Sequence, residues 1–242
     1  MERSNYIKVP IIRGFNEISV LYELITPLNG AICGGYARYC ASQAKKVVPA
    51  SDVDIFPLDK VACDAITQQL SLVGFEIKYE NDVSKTLRKP KDFNPENPKW
   101  KFVPTLQVIK PVIEGAIVTL GSLEEILNNF DFSIARATIV EGEECLVDAD
   151  FLEDENHRFI RIKNIHCPIS SLLRCCKYAK KGYWLSPFEA LKLFADWESR
   201  DDSYRARISE LFVASKMVDS DGNQIKMQQK EIDELEKLLR ID

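Results

Sequence analysis

One six-residue run, Ser51-Asp52-Val53-Asp54-Ile55-Phe56, limits what this chain can fold into more than any other feature. Side chains alternate across a β-strand, so Asp52 and Asp54 project from one face while Val53 and Ile55 enter a core on the other. Two carboxylates about 4 Å apart repel by about 4 kcal/mol at an effective dielectric of about 20, and a divalent cation between them removes that cost. Hard oxygen donors of this kind suit Mg²⁺ or Mn²⁺, which keeps several waters and accepts phosphate oxygens at its other positions. An edge strand with two solvated acids carries the same tripeptide, so the run needs company before it means a site. Upstream, Gly34-Gly35 sits between a short apolar strand, Ala31-Ile32-Cys33, and the start of a helical run. Glycine there lets a ligand approach the backbone, and helix-opening amides face an anion. A phosphate cradle beside a metal-binding strand makes a nucleotide site.

The 242 residues, 45% hydrophobic and 29% charged, supply one sizeable core or two modest ones, which excludes collagen-like, low-complexity and disordered chains. A net charge of −5 gives no general attraction to nucleic acid, so any polyanion must meet a local patch. Met1-Glu2-Arg3-Ser4 lacks the apolar run of a signal peptide, and no stretch approaches the roughly 20 apolar residues of a membrane span; a cytoplasmic chain without a membrane partner is expected. Seven cysteines without a C-x-x-C pair argue against a disulfide framework and a structural zinc site. With two histidines, His157 and His166, and no G-x-S-x-G, P-loop or G-x-G-x-x-G motif, hydrolase, P-loop and Rossmann readings lose their usual support.

Periodicity predicts helices over Phe15–Leu28, Tyr36–Lys45 and Lys60–Val73, and strands over Asp52–Phe56, Phe75–Tyr79, Lys101–Ile109 and Val112–Leu120. Ser122 with Glu125 three residues on forms a capping box opening a helix to Asn129; strands over Phe130–Val140 and Cys145–Val147 follow. From Ser170 onward the pattern is helical: Ser170–Lys181, Pro187–Ser199, Tyr204–Lys216 and an amphipathic run Lys226–Arg240. The expected architecture is α+β, a mixed or antiparallel sheet flanked by helices over residues 1–165, then a helical region over 166–242. Between strands, Lys85–Pro104 carries four prolines and reads as a loop. Its basic residues, Lys89 and Lys91 among them, alternate with Phe93, Trp100 and Phe102. That composition fits a solvated hairpin tip, or an acceptor-binding patch in which Lys89, Lys91 and Trp100 hold a nucleic acid.

Four ordered blocks resemble the DNA polymerase β-like nucleotidyltransferase superfamily, in particular the poly(A) polymerase head domain of CCA-adding enzymes. Gly34-Gly35-Tyr36-Ala37-Arg38 with Asp52-Val53-Asp54-Ile55 is similar to that family's GGxxRD and D-I-D-I motifs. Leu123-Glu124-Glu125-Ile126-Leu127, running into Phe130-Asp131-Phe132-Ser133-Ile134, is similar to LEEDL…RRDFTINA, and Leu172–Ala179 to LLRAxRFA. The resemblance spans about residues 29–183. It implies a nucleotidyltransferase with Asp52 and Asp54 holding Mg²⁺ or Mn²⁺. Gly34, Gly35, Arg38, Arg174 and Lys177 would contact the NTP, and Asp131 would act as a third carboxylate or a ribose contact. Arg174, Lys177, Lys180 and Lys181 recur on or near one helix face, which reads equally as a solvated surface.

The departures are specific. Tyr39 stands where the family has an acid after the arginine, and Asn129 and Phe130 stand where it has two arginines. Cys167-Pro168-Ile169-Ser170-Ser171 replaces E-D-x-x-R, and Gln107 occupies a strand position from which many superfamily members supply a third acid. The helical region is short for the body and tail that measure tRNA, so CCA addition is not expected. The resemblance implies transfer of an NMP to an acceptor hydroxyl, with an RNA or tRNA 3′ end as one acceptor. An inactive nucleotide- or RNA-binding module of the same fold and a D-x-D glycosyltransferase stay open beside it.

Overall fold

A computed structural model describes residues 5–45, 47–81, 83–110, 120–141 and 143–214. Strand β1 (Tyr6–Pro10) precedes helix α1 (Phe15–Ile25), and β2 (Gly30–Cys33) runs through a glycine turn into α2 (Gly35–Ala41). Next come β3 (Asp52–Pro57), α3 (Ala62–Leu72), β4 (Glu76–Glu80), β5 (Ser84–Arg88) and β6 (Thr105–Ile109). Helix α4 (Leu123–Asn128) leads to β7 (Ala137–Val140) and β8 (Glu144–Asp148). Then follow α5 (Phe151–His157), α6 (Pro168–Ala179), α7 (Pro187–Ser199) and α8 (Asp202–Ala214). The strands form one sheet in the order β1-β8-β7-β2-β3-β6-β5-β4, in which β3 and β6 are parallel and the other neighbours antiparallel. The α+β class and mixed sheet expected from sequence are therefore present.

Strand alternation assigns the two faces. Ile32, Val53, Ile55, Leu106 and Val108 point into the main core with Ile18, Leu21 and Ile25 of α1, and with residues of α2 and α3. The i, i+3, i+7 spacing of Ile18, Leu21 and Ile25 buries one stripe of α1 there. Ala31, Cys33 and Phe56 point the other way and form a smaller cluster with Ile126 of α4 and Ile109. Asp52 and Asp54, four and two residues before Phe56, belong to this second face. A third cluster joins Phe132, Ile134, Ile160 and Ile162 to Cys175, Tyr183 and Leu193, so apolar packing crosses the compositional change at residue 166.

Several elements differ from their sequence expectation. The helix expected to reach Lys45 stops at Ala41, because Ser42 turns extended and gives its hydroxyl to Glu155 at 2.7 Å. Strand β1, at the sheet edge beside β8, and helix α5 had no sequence signal strong enough to announce them. The strand expected over Phe130–Val140 is confined to Ala137–Val140, since Ser133–Ala135 forms a 3₁₀ turn. The loop expected over Lys85–Pro104 instead contributes most of β5, paired on both sides, and a 3₁₀ turn over Pro98–Phe102. The capping box of α4 forms as expected, with Ser122 and Glu125 exchanging both bonds. All seven cysteines are thiols, six of them buried. The strand expected at Val112–Leu120, but for its last residue, and the run Lys226–Arg240 lie outside the described residues. Among the described residues no helix is long and apolar enough to cross a membrane.

Candidate active site

The site begins at the end of β2. Gly34 adopts φ 72°, ψ −132°, a conformation essentially closed to residues with a side chain, and there the chain leaves the sheet for α2. A Cβ on Gly34 would lie 3.1 Å from Cε1 of Phe130 and 3.6 Å from Oδ2 of Asp54, so the missing side chain is what brings this backbone up to the acid pair. The Gly34 N–H donates to the Ala137 carbonyl at 2.8 Å and is therefore spent within the sheet, which corrects the expectation that it faces phosphate. Gly35, the first residue of α2, has no acceptor for its amide inside the helix.

Asp52 and Asp54 sit half-buried on one face of β3, while Val53 and Ile55 are fully buried on the other. The parallel neighbour β6 places Thr105 opposite Asp52 and Gln107 opposite Asp54. Ser51 donates its hydroxyl to Asp52 Oδ1 at 3.2 Å. Two carboxylates with a glutamine amide on the adjoining strand are an all-oxygen donor set, which fits a hard divalent cation that keeps its waters. Among the described residues no group of three or more His, Cys, Asp or Glu side chains converges on a common point.

That result bears on Asp131. Its carboxylate is 4% exposed and accepts a 2.7 Å bond from Arg174 Nε, so it serves as the counter-ion of Arg174 and not as a third carboxylate beside Asp52 and Asp54. Both residues stand in motifs legible in the sequence, 43 positions apart, and their pairing is visible only in the fold. Lys177 is exposed on the same helix.

Arg38 also departs from expectation. The guanidinium is 2% exposed, bonds Glu155 at 3.0 Å and the Tyr183 hydroxyl at 2.9 Å, and leaves Nε without an acceptor. Burial opposes its charge, and Tyr178, Glu155 and Tyr183 more than offset that, leaving its pKa raised. Arg38 is thus the buried centre of an α2–α5 junction and not a cation presented to phosphate. Glu155 and Tyr183 were not foreseen, because the acidic stretch Phe151–His157 reads as surface until its partners are known.

The basic-aromatic segment lies elsewhere. Trp100 is 7% exposed and packs edge-on against Phe75 at 5.8 Å, and Phe93 packs against Phe75 at 5.3 Å, both within the main core on the helix-covered face. Trp100 is therefore a core residue and not a stacking platform. Lys89 donates to the Lys101 carbonyl at 2.7 Å, closing the segment on itself, and Lys91 is exposed on it. Neither joins the acid pair on the opposite face. In the sequence Lys181 is the last member of the basic run Arg174, Lys177, Lys180 and Lys181. It ends half-buried after α6, its ammonium 5.4 Å from the Tyr178 ring centroid. Its pKa is lowered, first by burial and then by Arg38 and Lys177, with Asp52 and Glu155 acting in the opposite direction.

No family model matches the chain, and no curated protein sequence matches it. Solved structures do share its fold. A tRNA-processing enzyme in an apo form superposes with a TM-score of 0.51 at 19% identity, over 85% of this chain and 54% of that one. A CCA-adding enzyme in complex with CTP gives 0.53 at 13% identity, over 87% and 52%. A further apo CCA-adding enzyme gives 0.51 at 12%, over 81% and 47%. The chain spans about half the length of these structures. The chain shares its fold with these tRNA-processing and CCA-adding enzymes.

Proposed function

We propose that this chain is a metal-dependent nucleotidyltransferase that moves an NMP from an NTP to an acceptor hydroxyl and releases pyrophosphate. The observation that carries this reading is the placement of Asp52 and Asp54 on one strand face directly beside the Gly34 turn. Asp52 and Asp54 would hold Mg²⁺ or Mn²⁺, with Gln107 the nearest amide on β6. The bound cation would favour the ionised acceptor hydroxyl and offset charge on the departing pyrophosphate. In the transfer, the acceptor oxygen bonds the α-phosphorus, the bond from that phosphorus to the bridging β-oxygen breaks, and the acceptor proton leaves to solvent.

The chain's own residues do the positioning. Gly34 gives the nucleotide room to approach, and the Gly35 amide would meet a phosphate oxygen. Lys177 would face the phosphates from α6. Arg174, neutralised by Asp131, would shape the wall beside the base or ribose. The CTP complex of a CCA-adding enzyme of the same fold supports an NTP donor, and the tRNA-processing enzyme of that fold makes an RNA or tRNA 3′ end the first acceptor to try. Ser171 is fully buried where the family resemblance has an arginine, which disfavours base selection of the CCA-adding kind. That no third carboxylate joins Asp52 and Asp54 among the described residues favours a second reading, a nucleotide-binding module without turnover.

Incubating the protein with each α-labelled NTP, Mg²⁺ or Mn²⁺, and total RNA separates these. Label in RNA with matching pyrophosphate release supports transfer. NTP binding without transfer to RNA or to cell extract supports the module, and absence of NTP binding overturns both.

A further inference from the structure

We infer that Lys181 is a polyphosphate-binding residue of this chain, engaging the phosphates of the NTP and of the released pyrophosphate. The inference rests on the nucleotidyltransferase reading and names a residue that the family motifs do not supply.

Cations around the junction of α2, α5 and α6 are paired with acids one by one. Arg38 is matched by Glu155 at 3.0 Å, and Arg174 by Asp131 at 2.7 Å. Arg161 is matched by Asp154 at 2.9 Å, and Lys163 by Asp148 at 2.9 Å. Lys181 has no such partner: among the described residues its ammonium makes no ion pair, and its aromatic contact is the Tyr178 face. It is nevertheless half-buried, beside a second aromatic, Tyr183, whose ring lies 5.3 Å from that of Tyr178 and whose hydroxyl holds Arg38. A lysine with no role would extend into water, since its stem is long and its charge strongly hydrated.

The backbone fixes where the side chain starts. Lys181 donates its amide to the Tyr178 carbonyl at 2.8 Å, Gly182 to Ala179 at 2.9 Å and Tyr183 to Tyr178 at 3.1 Å, closing the end of α6 through Gly182 at φ 86°. The helix dipole favours a cation here, but the exposed neighbour Lys180 satisfies that preference without burial. Of the charges acting on Lys181, Arg38 and Lys177 repel it, Glu155 is already spent on Arg38, and Asp52 belongs to the proposed metal site. With Arg38 and Glu155 cancelling each other, two cations without an ion pair among the described residues, Lys177 and Lys181, are left to one unspent carboxylate, Asp52. A polyanion lying between α6 and Asp52 relieves that surplus, and a triphosphate is the polyanion the fold's acid pair calls for.

Tripolyphosphate and pyrophosphate, titrated calorimetrically into the full chain in EDTA, test this without turnover. Lys181→Met is expected to weaken both by roughly tenfold to a hundredfold, with Lys181→Arg recovering most of the loss and the exposed Lys60→Met unchanged. Thermal melts matching wild type show that the Met variant is folded. Binding of either anion to Lys181→Met at wild-type affinity, or no binding to wild type, overturns the inference. The parent reading fails separately: Lys181-dependent tripolyphosphate binding with no nucleotide transfer sinks the enzyme and leaves this site. Transfer with an NTP KM unchanged in Lys181→Met does the reverse.

Discussion

Arg38 of α2 and Glu155 of α5 form an ion pair at 3.0 Å with side chains 2% and 1% exposed. Ser42 and Tyr183 donate to the same carboxylate at 2.7 and 2.5 Å, so one acid ties the helix behind the glycine turn to the chain beyond α6. Position and orientation of α2, and with it the Gly34 turn, depend on this junction.

Removing one partner strands the other charge in the interior. Arg38→Ala is expected to destabilise the fold by about 3–5 kcal/mol, the usual cost of breaking a buried pair. Urea unfolding measures it. A stable Arg38→Ala protein with weakened NTP binding would instead place the guanidinium against phosphate.

Gly34→Ala puts a side chain into a backbone conformation it resists and against Phe130. The expected cost is about 1–3 kcal/mol together with loss of transfer. At Gly35 the nearest atom to an added Cβ is Ala50 Cβ at 4.0 Å, so Gly35→Ala is expected to fold normally. Parallel melts and transfer assays compare the two, and equal tolerance at both positions would contradict the close-approach account.

Trp100→Ala empties part of the main core and is expected to cost about 3–5 kcal/mol. Lys89→Ala with Lys91→Ala removes two charges from a segment on the other face of the sheet, and the acceptor KM is expected to stay within about twofold. A rise in that KM with a weakened salt dependence would return the segment to the acceptor site.

Burial lowers the pKa of His166 below its ordinary value of 6.5, with Arg174 and Arg200 acting in the same direction and the Asn129 backbone and Asp131 against it. Between the lowered value and 6.5 the unfolded chain binds more protons than the folded one, so stability rises with pH through that window. Melting temperatures should climb as pH rises toward about 6.5 and level off above it, and His166→Asn should flatten the climb. An unchanged slope in the variant assigns it to other groups.

The acid pair was legible because its chemistry and its strand position are both local: Asp52-Val53-Asp54-Ile55 states its two faces by alternation alone. So was the capping box at Ser122 and Glu125, which involves four residues in a row. What sequence could not rank was partnership at a distance. Arg38 is separated from Glu155 by 117 positions and Arg174 from Asp131 by 43, so each cation read as available when its neutralising acid was already assigned by the fold. Trp100 failed for a related reason, since lysines around an aromatic describe a binding patch and a buried anchor under a basic loop equally well. Strand β5 was hidden by the prolines that follow it, although Leu87 is fully buried between β4 and β6.

The central claim is that Asp52 and Asp54 carry the chemistry. Its most direct test is single-turnover transfer from an α-labelled NTP to RNA by wild type, Asp52→Asn and Asp54→Asn, each checked for folding by circular dichroism and for Mn²⁺ binding. The account predicts transfer by wild type, none detectable by either variant, weakened Mn²⁺ binding in both, and unchanged spectra, because these side chains leave the core to Val53 and Ile55. Undiminished transfer by a variant, or unfolding of both, would show the pair to be structural and contradict the account.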